Sequence, residues 1–374
     1  MAKAIVAIVS LFVLLIVLHD AFEVMLLPRR VKSRLRIVRF FFRSTWLFWS
    51  GFARRIASDD KRHNVLSLYG PLSLVLLLIV WAAGLMMGFG SLYWALDFSH
   101  SEHHSWFDQL YFSGVTFFTL GYGDIVPPTL LTKALAVIEA GTGLGFIATV
   151  IGYLPVLYQL FARREAQVIM LDAVAGSPPT AATLLSRHAE GQSLDDLENL
   201  LHEWQQWSAD LLESQISYPM LAYYRSQHDN QSWLAALTAI MDVCVLMMVG
   251  VKGLRTFRAR LAFSTARHAV VEMGRVFQVG TRTFSEDRLS SADFHQLRGS
   301  LAEAGLLFAD ESAAEQTLIA FRNTYEPFLN GLAYYLVLSL PTWLPTQDQL
   351  DNWQSNPRGK TAKRLVDSIP TNPE

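Results

Sequence analysis

The chain contains 374 residues, of which 51% are hydrophobic, and it carries a formal net charge of −2 at pH 7. This length is sufficient for two or three domains, and the hydrophobic fraction is high for a soluble protein, so we expect a membrane part joined to a soluble part. The single cysteine, Cys244, excludes intrachain disulfides and zinc ribbons.

The first predicted element is an apolar segment, residues 1–27, which is long enough for a transmembrane anchor. A cleaved signal peptide is the alternative, but a dense basic block follows instead of a small-residue cleavage site, so we favour an uncleaved anchor. His19, Asp20 and Glu23 interrupt the apolar run near its end. We expect these three side chains to be solvated near the membrane interface, whereas burial would make them a candidate proton- or ion-sensing group.

Residues 28–65 form a basic and aromatic connector, in which aromatic residues at helical spacing predict a helix lying on lipid headgroups. A voltage-sensor helix is rejected because only one apolar span precedes this region. Basic residues in the connector and after the last apolar span predict an outside amino terminus and a cytoplasmic carboxyl-terminal domain, in the inner (plasma) membrane. They are Arg29, Arg30, Lys32, Arg34, Arg36, Arg39, Arg43, Arg54, Arg55, Lys61, Arg62, Arg163 and Arg164.

Two further spans are predicted. Residues 66–90 contain no charged side chain, and residues 131–158 are almost as apolar. The second of these contains glycines and a proline, which weaken a helix or let neighbouring backbones approach. We consider two roles for them, as gating hinges or as sites of close packing. The hinge candidates are Gly141, Gly143, Gly145, Gly152 and Pro155.

The segment Thr119-Leu120-Gly121-Tyr122-Gly123-Asp124 lies between these two spans. The apolar residues 106–118 predict a short helix before it, and Pro127 and Pro128 predict an extended exit after it. Glycines at positions 121 and 123 allow unusual backbone dihedrals that turn successive carbonyls toward one side of the chain. A residue with a Cβ would resist these dihedrals.

Residues 107–127, FDQLYFSGVTFFTLGYGDIVP, resemble the pore segment of the potassium channel superfamily, of the type with two transmembrane helices and one pore loop. The resemblance implies a homotetramer whose four loops stack rings of carbonyl oxygens that replace the hydration shell of K⁺. It also implies that K⁺ binds to backbone carbonyls and the Thr119 hydroxyl of a filter comprising Thr119, Leu120, Gly121, Tyr122 and Gly123. Leu120 and Phe118 depart from the Val and Thr that are common in the family, which affects packing more than ion coordination.

Support for the filter is expected from Asp124 and Tyr111. Val115 occupies a position where some relatives carry a carboxylate, so a buried acid pair with Asp124 is not expected. Tyr111 on the predicted pore helix is the candidate partner instead. We expect its hydroxyl to hydrogen-bond to Asp124 and to brace the outer mouth of the filter.

Residues 159–350 mix charged and apolar side chains at helical periods, which predicts an all-helical cytoplasmic domain, followed by a disordered tail at 351–374. Residues 233–251 and 328–344 are apolar enough to be additional spans. We favour buried helices of a soluble bundle, because extra spans would place basic residues outside. This part contains no dinucleotide-binding fingerprint, no phosphate loop and no nucleic-acid footprint.

The sequence therefore predicts an all-α membrane protein, in which an N-terminal span precedes a pore domain at residues 66–158 with an outer helix, pore helix, filter and inner helix. We expect a potassium-selective channel that conducts K⁺ passively, is not an enzyme and has no cofactor besides the transported ion. The alternatives are a nonselective cation channel, or a ligand-sensing membrane protein whose helical domain is the main functional unit. Expected partners are membrane lipids, identical subunits and an unidentified cytoplasmic ligand, but no nucleic acid.

Overall fold

A computed structural model describes residues 1–26, 37–96, 105–191, 194–226, 230–283, 287–308, 311–345, 351–352 and 359–368. In these residues the fold is all-α, and extended backbone pairs only in an isolated bridge between Val251 and Phe308. The all-α prediction is confirmed for this part of the chain. The chain forms two compact units, one of Met1–Arg55 and Leu68–Gln159 and the other of Ile56–Ser67 and Leu160–Glu374.

The amino-terminal half is built from five helices. They are α1 (Ala2–Leu26), α2 (Ile37–Ala53), α3 (Asp59–Leu96), α4 (Trp106–Phe117) and α5 (Leu130–Ala175). Among the described residues, α1, α3 and α5 are long and apolar enough to cross a membrane. They match the three predicted spans, but α3 begins earlier than predicted and α5 continues well beyond the apolar segment.

Helix α1 packs against α3 along two glycines. A Cβ on Gly88 would lie 2.7 Å from the Leu14 side chain, and a Cβ on Gly84 would lie 3.2 Å from a Val17 methyl group. Small residues four positions apart are the pattern that lets two membrane helices approach closely. The contact therefore depends on the absence of side chains at these two positions of α3.

The predicted surface helix in the connector is α2, and it packs on α3 through Tyr69. The Tyr69 hydroxyl donates to the carbonyl oxygen of Phe42 over 3.2 Å, and it lies 2.9 Å from the Thr45 hydroxyl. Trp46 is buried beside the Tyr69 ring, whereas Phe48 is exposed. Contact of α2 with lipid stays a prediction. The basic residues from Arg29 to Arg36, part of the basis for the predicted orientation, lie outside the described residues.

The second unit is a bundle of helices around α8. Its further elements are α6 (Ala181–Glu190), α7 (Leu194–Ser217), a short 3-10 helix (Pro219–Tyr223), α8 (Trp233–Met248), α9 (Thr256–Phe277), α10 (Ser291–Glu303), α11 (Glu311–Arg322), α12 (Glu326–Leu336) and α13 (Gly359–Asp367). Every residue of α8 up to Met247 is buried, and α6, α9, α11 and α12 all contact this helix. Residues 233–248 thus form the centre of a helical bundle, the arrangement favoured above over a fourth span.

Two details of this unit differ from the sequence-based expectations. The helical periodicity of residues 313–340 predicts one long helix, but this region contains two helices, α11 and α12, separated at residues 323–325. Within the segment for which disorder was predicted, α13 is helical and Asp351 is buried, where it accepts a hydrogen bond from Arg187 over 2.8 Å. A single carboxylate that pairs with a distant arginine leaves no periodic signal in the sequence.

A buried polar cluster lies inside the bundle. The Asp242 carboxylate accepts hydrogen bonds from Arg288 Nη2 and from the Tyr325 hydroxyl, each over 2.6 Å, and Arg288 Nη1 donates to Glu326 over 2.9 Å. Burial raises the pKa of Asp242 to about 6, against the opposing effect of Arg288. Burial by itself would lower the pKa of Arg288. The negative charges of Asp242 and Glu326 outweigh this effect of burial, so the pKa lies above its ordinary value.

Candidate ion-conduction site

The predicted filter, residues 119–123, comes just after α4, whose two ends are both fixed. At the first end, the Ser105 hydroxyl accepts from the backbone N–H of Asp108 over 3.2 Å, and the Asp108 carboxylate accepts from the N–H of Ser105 over 2.7 Å. This capping box determines where the helix begins. At the other end, the N–H of Leu120 donates to the carbonyl of Val115 over 2.8 Å. The carboxyl end of α4, which carries the negative end of the helix dipole, therefore lies beside the first filter residues and favours a cation.

The sign of φ alternates along the predicted filter. Thr119, Gly121 and Gly123 have φ angles of 56°, 63° and 76°, whereas Leu120 and Tyr122 between them do not have positive φ. A backbone whose φ alternates in sign turns successive peptide units, so that their carbonyl oxygens can line one side of the chain. A β-branched residue such as Thr119 rarely adopts positive φ, and strain of this kind concentrates at functional sites.

The pore helix and filter also meet through side chains. The Tyr111 hydroxyl and the Asp124 carboxylate lie within interaction range of each other, so the structure brings together the two residues that were predicted to support the filter. Their bracing role stays a prediction. The filter side chains Leu120 and Tyr122 are 54% and 67% exposed in the single chain, and Phe118 before them is also exposed.

A comparison with known protein families identifies this region. Residues 74–159 match the family model described as "Ion channel". The match begins within α3, includes α4 and the filter, and ends within α5. Residues 74–159 are an ion channel domain. The resemblance to potassium channels that rests on residues 107–127 is thereby confirmed at the level of the family.

Two relatives match parts of the chain. The chain is 27% identical over 218 residues to the uncharacterized membrane protein YdjJ of Bacillus subtilis (strain 168). The aligned region covers 56% of this chain and 60% of the relative. It is 49% identical over 51 residues to two-pore potassium channel 4 of Arabidopsis thaliana. This aligned region covers 14% of this chain and 18% of that relative. The chain thus spans less than two thirds of either relative. No solved structure matches the chain.

In the ion channel domain, α4 fits between α3 and α5 at positions that lack side chains. A Cβ on Gly90 of α3 would lie 2.9 Å from Leu110 Cα, and a Cβ on Gly143 of α5 would collide with the carbonyl oxygen of Phe117. The Phe117 ring also lies beside that of Phe146, with centroids 5.9 Å apart. The last residue of the pore helix is therefore pressed against the backbone of α5.

The five hinge candidates differ in their surroundings. Gly143 is a close-packing site, whereas a Cβ at Gly141, Gly145 or Gly152 would meet no atom of the chain within 4 Å. Pro155 lies inside α5, which remains helical from Leu130 to Ala175. Close packing is observed at Gly143, and a hinge role for all five positions stays a prediction.

Sequence reasoning missed one polar cluster in the ion channel domain. Glu139 on α5 is fully buried, and its carboxylate lies 2.5 Å from the Ser113 hydroxyl on α4 and 2.8 Å from the Tyr93 hydroxyl on α3. The signal was available, because Glu139 is a lone acid within a long apolar run, and such residues in membrane helices are costly unless they have a partner.

Proposed function

We propose that this protein is a potassium-selective channel that conducts K⁺ passively through a filter formed by residues 119–123. The observation that carries the proposal is the alternation of φ at Thr119, Gly121 and Gly123, which suits a run of carbonyl oxygens that replaces the water around a cation. The filter-like sequence and the match of residues 74–159 to an ion channel family support the same conclusion.

Conduction then follows from the chemistry of the oxygens. Carbonyl dipoles and the Thr119 hydroxyl bind a dehydrated K⁺ at successive levels, and the negative end of α4 adds a favourable field. Ions at adjacent levels repel one another, so that binding is strong enough to select the ion and weak enough to release it. No covalent step is required, and we propose that the protein is not an enzyme.

One chain supplies one side of such a pore, so the proposal requires a ring of identical subunits. Four copies place a complete ring of oxygens around each ion. The exposure of Leu120 and Tyr122 in the single chain supports neighbouring subunits, because these large side chains would be covered by contacts between filters. The mass of the detergent-solubilised complex tests this point, with four chains expected and a monomer or dimer contradicting it.

The orientation is part of the proposal. Positive charge on the connector and after the third span supports an outside amino terminus and a cytoplasmic helical unit, in the inner (plasma) membrane. Cysteines introduced one at a time near Lys3 and Arg260, in a Cys244→Ser background, test this with a membrane-impermeant thiol reagent applied to intact cells. We expect labelling near Lys3 only, and labelling near Arg260 would reverse the orientation.

The test of selectivity uses purified full-length protein in liposomes. We expect K⁺ flux well above Na⁺ flux in wild-type liposomes, and no flux in liposomes without protein. Tyr122→Asp is the companion variant, since a charged side chain at this position disturbs the packing that holds the filter open to K⁺ alone. Equal K⁺ and Na⁺ flux in the wild type would instead support a nonselective cation channel, and no flux of either ion would contradict a channel function.

A second proposed function is control of the pore by the helical unit. Helix α5 continues without a break to Ala175, and Arg164 near its end is buried, with its guanidinium donating to the carbonyls of Leu221 and Tyr224 over 2.8 and 2.7 Å. A ligand that moves the 3-10 helix would therefore act on α5 directly. Arg164→Met should change open probability but not the K⁺ to Na⁺ ratio, whereas the exposed neighbour Arg163, changed to Met, serves as the control.

A further inference from the structure

Helices α4 and α5 touch at two points, one helical turn apart on each helix. At the first point, the Glu139 carboxylate meets the Ser113 hydroxyl at 2.5 Å. At the second, Gly143 lies against the carbonyl oxygen of Phe117. Residues four positions apart share one face of a helix, so the two contacts lie one above the other. Together they fix both the axial position and the rotation of α4 relative to α5.

The same carboxylate reaches the third helix of the ion channel domain. The Tyr93 hydroxyl donates to Glu139 Oε2 over 2.8 Å, and the Tyr93 ring meets the Phe112 ring edge to face at 5.0 Å. Ser113 Oγ also lies 2.9 Å from the carbonyl oxygen of Met86 on α3. Glu139 is therefore the point where α3, α4 and α5 are joined by hydrogen bonds.

Counting hydrogens gives the arrangement of these bonds. Ser113 has one hydroxyl hydrogen but two oxygens within reach, those of Met86 and Glu139. If Glu139 is protonated, it donates to Ser113, Ser113 donates to Met86, and Tyr93 donates to Glu139, so each hydrogen has one acceptor. This arrangement also avoids a buried charge in the membrane.

We propose that Glu139, as a neutral hydrogen-bonding group, is a positioning residue for the filter. It holds Ser113, and thereby the end of α4 at Phe117, two residues before Thr119 begins the filter. Glu139 touches no ion in this role and acts only through α4. The inference rests on the proposed potassium-selective function, because the property it governs is the spacing of the oxygens that select K⁺.

The experiment compares four variants of the full-length protein in planar bilayers under opposed K⁺ and Na⁺ gradients. Glu139→Leu removes both bonds, while Glu139→Gln retains an amide that donates to Ser113 and a carbonyl that accepts from Tyr93. Ser113→Ala and Tyr93→Phe each remove one hydroxyl, and they keep the test valid if the leucine variant fails to assemble. Thr149→Val is the control, since its hydroxyl bonds only to the carbonyl of Gly145 within α5.

We expect Glu139→Leu and Ser113→Ala to lower the K⁺ to Na⁺ permeability ratio of assembled channels by about tenfold, and Glu139→Gln to retain the wild-type ratio. A merely structural role would reduce the yield of assembled protein without changing the ratio. An unchanged permeability ratio in both Glu139→Leu and Ser113→Ala would overturn the positioning role but leave the proposed selective channel unaffected. Loss of selectivity in Glu139→Gln would overturn the proposal that Glu139 acts in its neutral, protonated form. A wild-type protein that shows no preference for K⁺ over Na⁺ would contradict the proposed function, and this inference would then fail with it.

Discussion

The indole Nε1 of Trp81 on α3 donates a hydrogen bond to the Asp20 carboxylate on α1 over 2.9 Å, and both residues are buried. Glu23 is buried as well, whereas His19 is exposed. The expectation that these acids are solvated near the membrane interface is therefore wrong for Asp20 and Glu23. Both lie on the face of α1 that is covered by protein, where a carboxylate needs a hydrogen-bond donor.

Trp81→Phe should loosen the attachment of α1 to α3. The substitution keeps a ring in the packed site but removes one hydrogen-bond donor to the buried Asp20 carboxylate, which costs about 1–3 kcal/mol. We expect a lower melting temperature of the full-length protein in detergent. Trp94→Phe is the control, because the new ring still lies beneath the Lys3 ammonium. Equal melting temperatures for the two variants would contradict a stabilising role for the Asp20–Trp81 bond.

Gly143→Ala should abolish K⁺ flux, because the new methyl group would collide with the carbonyl of Phe117 and displace the end of α4 from the filter. Gly51→Ala, on α2, is the control, because a Cβ there meets no atom of the chain within 4 Å. Both variants are compared by K⁺ flux per amount of reconstituted protein in liposomes. Normal flux through Gly143→Ala would mean that α4 and α5 are further apart in the conducting protein.

Arg288→Met should strongly destabilise the helical unit. Removal of the guanidinium leaves the Asp242 carboxylate buried without its cation, whereas Glu326 keeps its ion pair with Arg322. Breaking a buried pair in this way costs roughly 3–5 kcal/mol. Arg260→Met, at an exposed position of α9, should change stability little. Urea unfolding followed by circular dichroism measures the difference. A small effect of Arg288→Met would indicate that water or another cation satisfies Asp242.

The stability of the helical unit should also depend on pH through Asp242. Burial raises the pKa of this group from 3.8 to about 6, so the folded state binds the proton more tightly than the unfolded state. The resulting stabilisation is fully present below about pH 4 and is lost as the pH rises through 6, a change of about 3 kcal/mol.

Urea titrations of the wild type and Asp242→Asn at pH 4, 5, 6 and 7 test this sign. The unfolding free energy of the wild type relative to the variant should fall as the pH rises, because only the wild type carries the titrating group. A difference that is constant or that increases with pH would show that Arg288 holds the pKa of Asp242 near or below its ordinary value.

Elements with local signals were predictable from the sequence. Apolar runs of sufficient length predicted α1, α3 and α5, because a helix that crosses a membrane needs about 20 predominantly apolar residues. The sequence from Thr119 to Gly123 predicted an irregular backbone, since the two glycines allow positive φ without a steric penalty. The φ angles of Gly121 and Gly123 agree with that reasoning, whereas the positive φ of Thr119 has no such signal.

Which of several similar residues have a specific partner follows only from the packing of the helices against one another. Gly141, Gly143 and Gly145 are equivalent in sequence, and Gly143 alone among them faces the end of α4. Likewise, Glu139 is one acid in an apolar run until Ser113 and Tyr93 are brought to it from other helices. The physical reason is that side-chain periodicity records which face of a helix is apolar, whereas hydrogen bonds and close contacts depend on how separate helices meet.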